Sequence, residues 1–69
     1  MNLELYVGKY VYIECNDDSY YPYWYVYAFS DKYDNPDREE DSIDILKNED
    51  AESGVTLYAS DIKSIRLAS

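Results

Sequence analysis

The sequence predicts a mainly β chain: a small, five-stranded, strongly bent antiparallel barrel with a short helical turn at the N-terminus. Three observations predict it. Short runs of β-branched and aromatic residues recur, as in Tyr10-Val11-Tyr12-Ile13, Ser42-Ile43-Asp44-Ile45 and Val55-Thr56-Leu57-Tyr58, and such residues suit a pleated surface. Clusters of Asn, Asp, Ser and Gly punctuate these runs, which is turn chemistry. Ten of the 69 residues are tyrosine, five of them within Tyr20-Tyr21-Pro22-Tyr23-Trp24-Tyr25-Val26-Tyr27. A stretch so aromatic favours extended backbone.

The elements follow in order. Asn2 to Val7 can form a lone helical turn or a strand, and Gly8 breaks it. Residues 10–15 alternate as a first strand, with Val11, Ile13 and Cys15 toward the core and Tyr10, Tyr12 and Glu14 on the other face. Asn16-Asp17-Asp18-Ser19 is a turn by composition. The aromatic strand occupies about residues 23–29, and Pro22, which cannot donate a ladder hydrogen bond, sits at its start or on an edge. Strict alternation puts Tyr21, Tyr23, Tyr25, Tyr27 and Phe29 on one face and Tyr20, Trp24, Val26 and Ala28 on the other.

Residues 30–41 form a long, mobile, acidic loop, with Asp34-Asn35-Pro36-Asp37 as a turn. Residues 42–46 make the third strand, with Ile43 and Ile45 inward. It should bend as well, though no glycine marks a bulge there. A helix over residues 37–52 competes, but the apolar spacing of Ile43, Ile45 and Leu46 suits a strand. An acidic turn, residues 48–54, leads to a fourth strand at 55–59. Residues 60–63 make a tight turn, and residues 64–67 a fifth strand. Gly8 and Gly54 sit alone in turns. Closing such a sheet removes most exposed edges, and the long aromatic strand would coil to serve two parts of the core.

Length leaves room for one domain, residues 1–69, that buries only roughly 60% of its unfolded surface. Cys15 is the only cysteine, so no intramolecular disulfide supports the fold, and its setting suits a small buried hydrophobe. The residues from Met1 onward open no signal peptide. No apolar run approaches the ~18 residues of a membrane span. The expectation is a cytoplasmic protein.

Fifteen Asp plus Glu against six Lys plus Arg give a formal charge of −9. Phosphate backbones attract clustered cations, and the six here are scattered, so direct nucleic-acid binding is disfavoured. Such a charge serves solubility, or docking on a basic surface.

One order of residues has a further meaning. Gly8-Lys9-Tyr10-Val11-Tyr12-Ile13 is followed by a polar turn and a long strand with Val26 and Phe29. Asp34-Asn35 and acidic residues then lead into Ser42-Ile43-Asp44-Ile45, and Val55-Thr56-Leu57-Tyr58-Ala59-Ser60-Asp61-Ile62-Lys63-Ser64-Ile65 closes the pattern. Over roughly residues 3–67 this resembles the small Sm-like (LSM-type) β-barrel proteins of Gram-positive bacteria and their mobile elements. The resemblance implies a short N-terminal helix, five bent strands, ring or dimer assembly and RNA as a first ligand to test. The family's RNA site uses an Asp and an Asn after the first strand pair and an Arg-Gly in the last loop. Here Asp17 and Asp18 stand without the Asn, the last loop reads Ala59-Ser60-Asp61, and Trp24 occupies a position usual for glycine. Fold therefore transfers better than function.

No histidine, no nucleophile–base pattern, no zinc spacing and no phosphate loop occurs, so neither enzyme chemistry nor a cofactor is expected. Asn35, Asp37 and Glu39 alternate as in a calcium loop, but Glu40 stands where glycine is required. A solvated charged loop explains them better. The aromatic strand can pack the barrel, bind a second copy, anchor a foreign protein or stack bases, which normally needs a basic groove. The expectation is a non-enzymatic acidic protein-interaction module. It would bind a protein or itself through Tyr21, Tyr23, Tyr25 and Tyr27 together with Asp34, Asp37, Glu39, Glu40 and Asp41. Inhibition of a nucleic-acid-binding protein by phosphate mimicry is one form of it. The alternative is an Sm-like RNA-binding ring with an altered site.

Overall fold

The computed structural model describes residues 2–35 and 37–68. Five antiparallel strands form one sheet: β1 Tyr10–Cys15, β2 Tyr20–Ser30, β3 Ser42–Leu46, β4 Gly54–Tyr58 and β5 Ile62–Leu67. Their spatial order is β4-β3-β2-β1-β5. A one-turn 3-10 helix, Leu3–Tyr6, precedes β1, and another, Ala59–Asp61, joins β4 to β5. Gly8 takes φ 82°, a value that suits glycine, where the chain leaves the first 3-10 turn for β1. Its amide donates to the Val26 carbonyl at 2.8 Å.

The core is one cluster: Leu3, Val11, Ile13, Cys15, Val26, Ile43, Ile45, Leu57 and Ile62 are buried, and Tyr6, Tyr21, Trp24, Phe29, Val55, Ala59 and Ile65 pack against them. Every strand contributes, so the sheet must curl around its inward side chains. Ser42, the one buried polar residue among those described, accepts a hydrogen bond from Asn35 at 3.0 Å.

The curl comes from extra residues. Val11 pairs with Trp24 and Ile13 with Tyr21, so Pro22 and Tyr23 together face one position of β1. Val26 pairs with Ile45 and Ala28 with Asp44, which leaves Tyr27 as a second extra residue in β2. Glu14 pairs with Ser64 and Cys15 with Ile62, so Lys63 is extra in β5. Each bulge increases local twist and bends its strand.

These bulges correct several expectations. β2 begins at Tyr20 and runs through Pro22, which sits at a bulge inside the strand; a bulge is where a missing ladder donor is tolerated. The bends fall in β2 and β5, and no shift interrupts the pairing of β3 with β4. β4 starts one residue earlier than expected and β5 two. Gly54 is the first residue of β4 and not a turn residue. Ser42–Leu46 is a strand as expected, with Ile43 and Ile45 buried, and the helical alternative is absent.

Candidate interaction surface

The two bulges of β2 reset which way its side chains point. Tyr21, Trp24, Val26 and Phe29 all pack into or onto the core. The expected single row of Tyr21, Tyr23, Tyr25, Tyr27 and Phe29 is therefore broken: Tyr21 and Phe29 turn inward, and Tyr21 meets Trp24 edge-on at 5.0 Å and 83°. Strict alternation fails because each extra residue shifts the pattern by one position.

What remains outside is a compact aromatic patch. Tyr23 lies stacked on Tyr10 with ring centroids 4.6 Å apart and planes at 17°. Tyr25 tilts against Tyr10 at 5.3 Å, and Tyr12 against Tyr23 at 6.4 Å. The Arg66 guanidinium sits 4.5 Å over the Tyr12 ring, a cation–π geometry. Tyr23 is 56% exposed, and Tyr20, Tyr27 and Leu67 are exposed too. A shallow cleft of about 400 Å³ between Tyr10, Tyr23, Glu49 and Leu67 continues the patch. The Tyr10 hydroxyl donates to Glu49 Oε1 at 3.3 Å and accepts from the Glu49 amide at 3.3 Å. Desolvation, with the neighbouring carboxylate adding to it, pushes the Tyr10 phenol above its ordinary pKa.

Tyr23 is held at φ 57°. A bulky side chain in the left-handed region costs roughly 1–2 kcal/mol, and such strain persists only where the surroundings hold it. The bulge at Pro22 forces this turn, and the turn lays the Tyr23 ring flat on Tyr10.

In the sequence, the aromatic half of the expected surface lies within β2. Tyr10, Tyr12, Arg66 and Leu67 join it because β1 is the neighbour of both β2 and β5. The outward alternation of Tyr10 and Tyr12 was the available signal. The partner strand that places them beside Tyr23 was not readable.

The acidic loop divides into two groups. Asp34, Asp37 and Glu39 are exposed. Glu40 and Asp41 are occupied within the chain, which corrects the expectation that all five face a partner. Glu40 accepts from the Ser60 amide at 2.7 Å and the Ser60 hydroxyl at 3.1 Å. Asp41 accepts from the Lys32 amide at 2.9 Å, and its carbonyl from the Ala59 amide at 2.9 Å. Asn35 Nδ2 reaches the Asp31 and Glu40 carbonyls and the Ser42 hydroxyl. Arg38 lies 4.1 Å over the Tyr58 ring, 3.7 Å from Glu40 and 3.8 Å from Asp61. The segment expected to be a free loop is thus tied to β3 and to the Ala59–Asp61 turn. Pro36, the proline of the expected turn, lies outside the described residues. No cluster of three His, Cys, Asp or Glu among the described residues is placed to hold a metal ion.

Hydrogen bonds from Ser60, then the Arg38 charge, hold the Glu40 carboxyl below its ordinary pKa. A depressed folded pKa contributes stability above the unfolded value, and that stability is lost as pH falls through the folded one. Replacing Glu40 with Gln should therefore lower Tm at neutral pH, while the two proteins converge in acid, below the ordinary glutamate range of about 4.3. Thermal melts across that range check it; parallel curves would show that the Glu40 charge does not stabilise the fold. Asp17, lowered by its bond from the Ser19 amide, adds a like share to both proteins.

A separate hollow of about 520 Å³ lies between β4 and the β1–β2 turn, with Cys15, Tyr21, Val55, Leu57, Asp17 and Asp61 among its walls. Burial raises the pKa of both the Cys15 thiol and the Tyr21 phenol, and Asp17 and Asp61 raise each further. The thiol is buried and protonated, hence a poor nucleophile. No helix among the described residues is long and apolar enough to cross a membrane. No family model, curated protein or solved structure matches the chain.

Proposed function

We propose that this chain is a non-enzymatic protein-interaction module on an Sm-like barrel scaffold, binding a protein partner or a second copy of itself through the outer aromatic face of β1 and β2. The observation that carries it is the strained, stacked and exposed Tyr23, clamped over Tyr10 with Tyr12 and Tyr25 beside it. Rigid aromatic rings give large contact area at small entropic cost and recur among interface anchors. The leading 3-10 turn, the five antiparallel strands with bulges in β2 and β5, and the short connection between β4 and β5 support the Sm-like reading. The exposed Asp34, Asp37 and Glu39 add a field that steers a basic partner. Inhibition of a nucleic-acid-binding protein is the form of this function that the −9 charge favours.

Tyr23→Gly tests the face, because glycine accepts φ 57° without steric cost while removing the ring. The variant should fold, since it trades one exposed stack for relieved backbone strain. Partner capture from a native lysate, or the larger mass seen by light scattering, should be lost. An anchor of this kind is worth about 2 kcal/mol or more. Undiminished capture and mass would reject the aromatic face as the interface. Tight binding of oligo-U at ~150 mM salt would favour the RNA-binding alternative instead.

A further inference from the structure

We infer that the hollow between β4 and the β1–β2 turn is a second binding site, which takes an extended, lysine-bearing peptide segment of a protein partner. Three independent features carry this.

The first is shape and lining. The hollow holds about 520 Å³, within the usual range of ligand sites. Cys15 and Leu57 are buried, and Tyr21 and Val55 are half-buried, so its deeper wall is apolar. An aliphatic stem suits such a wall, as lysine stems lie along apolar surface with the charge in water.

The second is charge. Asp17 and Asp61 stand among the walls, and no Lys or Arg among the described residues lines the hollow; Arg38 approaches Asp61 to 3.8 Å from outside it, which leaves Asp17 as the principal charge. Both carboxylates act on the Cys15 thiol and the Tyr21 phenol, so their field converges on the apolar wall. A carboxylate partner is repelled there and an ammonium attracted.

The third is the backbone. Among the described residues β4 pairs along one edge only, with β3, so no strand lies along the other edge at Val55, Thr56 and Leu57. Val55, Thr56 and Leu57 of that strand line the hollow. An unpaired edge beside a pocket is the arrangement in which an extended peptide adds as a strand and its alternate side chains enter the pocket. A free polyamine could use the charge but not this edge, and therefore the occupant is a peptide.

The hollow uses Cys15, Tyr21, the β1–β2 turn and β4, whereas the proposed aromatic interface uses Tyr10, Tyr12, Tyr23 and Tyr25, so either can fail without the other. The test is amide chemical-shift titration of the folded protein with a hexapeptide alternating valine and lysine. Saturable shifts are expected at Cys15 to Ser19 and Val55 to Leu57. A matching valine–glutamate peptide should leave those amides unmoved, and spermidine should shift at most Cys15 to Ser19 while leaving Val55 to Leu57 unmoved. Asp17→Lys should weaken the lysine peptide about tenfold. Asp50→Lys, an equal charge change at an exposed position of the β3–β4 turn, which contributes no residue to the hollow, should leave affinity unchanged.

Equal weakening by Asp50→Lys would reduce the effect to overall charge and overturn the site. Equal shifts with spermidine would overturn the peptide in favour of a small cation. Shifts confined to Tyr10, Tyr12 and Tyr23 would overturn the hollow altogether. Protein-concentration-dependent shifts at Val55 to Leu57 without peptide would assign the edge to a second copy of the chain.

Discussion

Ile45→Ala is expected to leave the protein largely unfolded in mild denaturant. Ile45 is fully buried, faces Val26 on one side and Val55 on the other, and belongs to a core of nine buried residues among those described. Removing a buried isoleucine to alanine costs about 2–5 kcal/mol, from lost transfer energy and the cavity left behind. A chain of this length holds only roughly 3–10 kcal/mol of net stability. No disulfide offsets the loss, because Cys15 is the sole cysteine. Urea titration followed by far-UV circular dichroism measures it. Ile45→Val should move the same midpoint by a fraction of that amount, about 0.5–1.5 kcal/mol. If alanine left the midpoint where it was, Ile45 would not be central to the core.

Gly54→Ala is expected to be the next most damaging change, for a different reason. Only Gly8 of the two glycines has positive φ, so Gly54 is not present for conformational freedom. A Cβ at position 54 would collide with the Ile45 carbonyl oxygen and lie 2.9 Å from Leu46 Cδ2. The leucine methyl can rotate away. The carbonyl cannot, since it belongs to the backbone of β3, to which β4 is paired through Leu46 and Gly54. The start of β4 must then peel from β3, at a cost of about 1–3 kcal/mol. Gly8→Ala meets no atom within 4 Å but keeps φ 82°, which costs roughly 1–2 kcal/mol. Hydrogen exchange separates the two cases. Gly54→Ala should speed exchange at residues 54–58, and Gly8→Ala should not. Unaltered protection of β4 in Gly54→Ala would show that the strand yields without opening.

Much of the fold was legible in the residues. Val11, Ile13 and Cys15 alternate with Tyr10, Tyr12 and Glu14, and the structure buries the first set. Ile43 and Ile45 mark β3 to the residue. The start of β4 slipped because Gly54 reads as a turn residue, and that of β5 because Ile62 follows Ser60-Asp61, whose turn chemistry outweighs one strand-forming residue. Less of the candidate site could be read. Strict period two predicts a single aromatic row, and two bulges in β2 break it. Neither bulge is marked by glycine; Pro22 marks one, and nothing in the sequence marks Tyr27. The acidic loop was read as solvated because its charges are many. Its order comes from Asn35 and Glu40, whose partners Ser42 and Ser60 are distant enough in the chain to be invisible to local composition. The fivefold set Asp34, Asp37, Glu39, Glu40 and Asp41 thus mixes outward charges with internal fasteners.

Those fasteners bear on how quickly the protein can recognise a target. The two N–H groups of Asn35 Nδ2 are shared among the Asp31 and Glu40 carbonyls and the Ser42 hydroxyl, and the Glu40 carboxylate accepts twice from Ser60, so both residues are anchored within the chain. Asp34 and Glu39 stand beside these anchored residues, so this charged array surrenders part of its freedom when the chain folds and not at the moment of encounter. A target meeting such an array gains in arrival rate, with a pronounced dependence on ionic strength, and has little loop ordering to wait for.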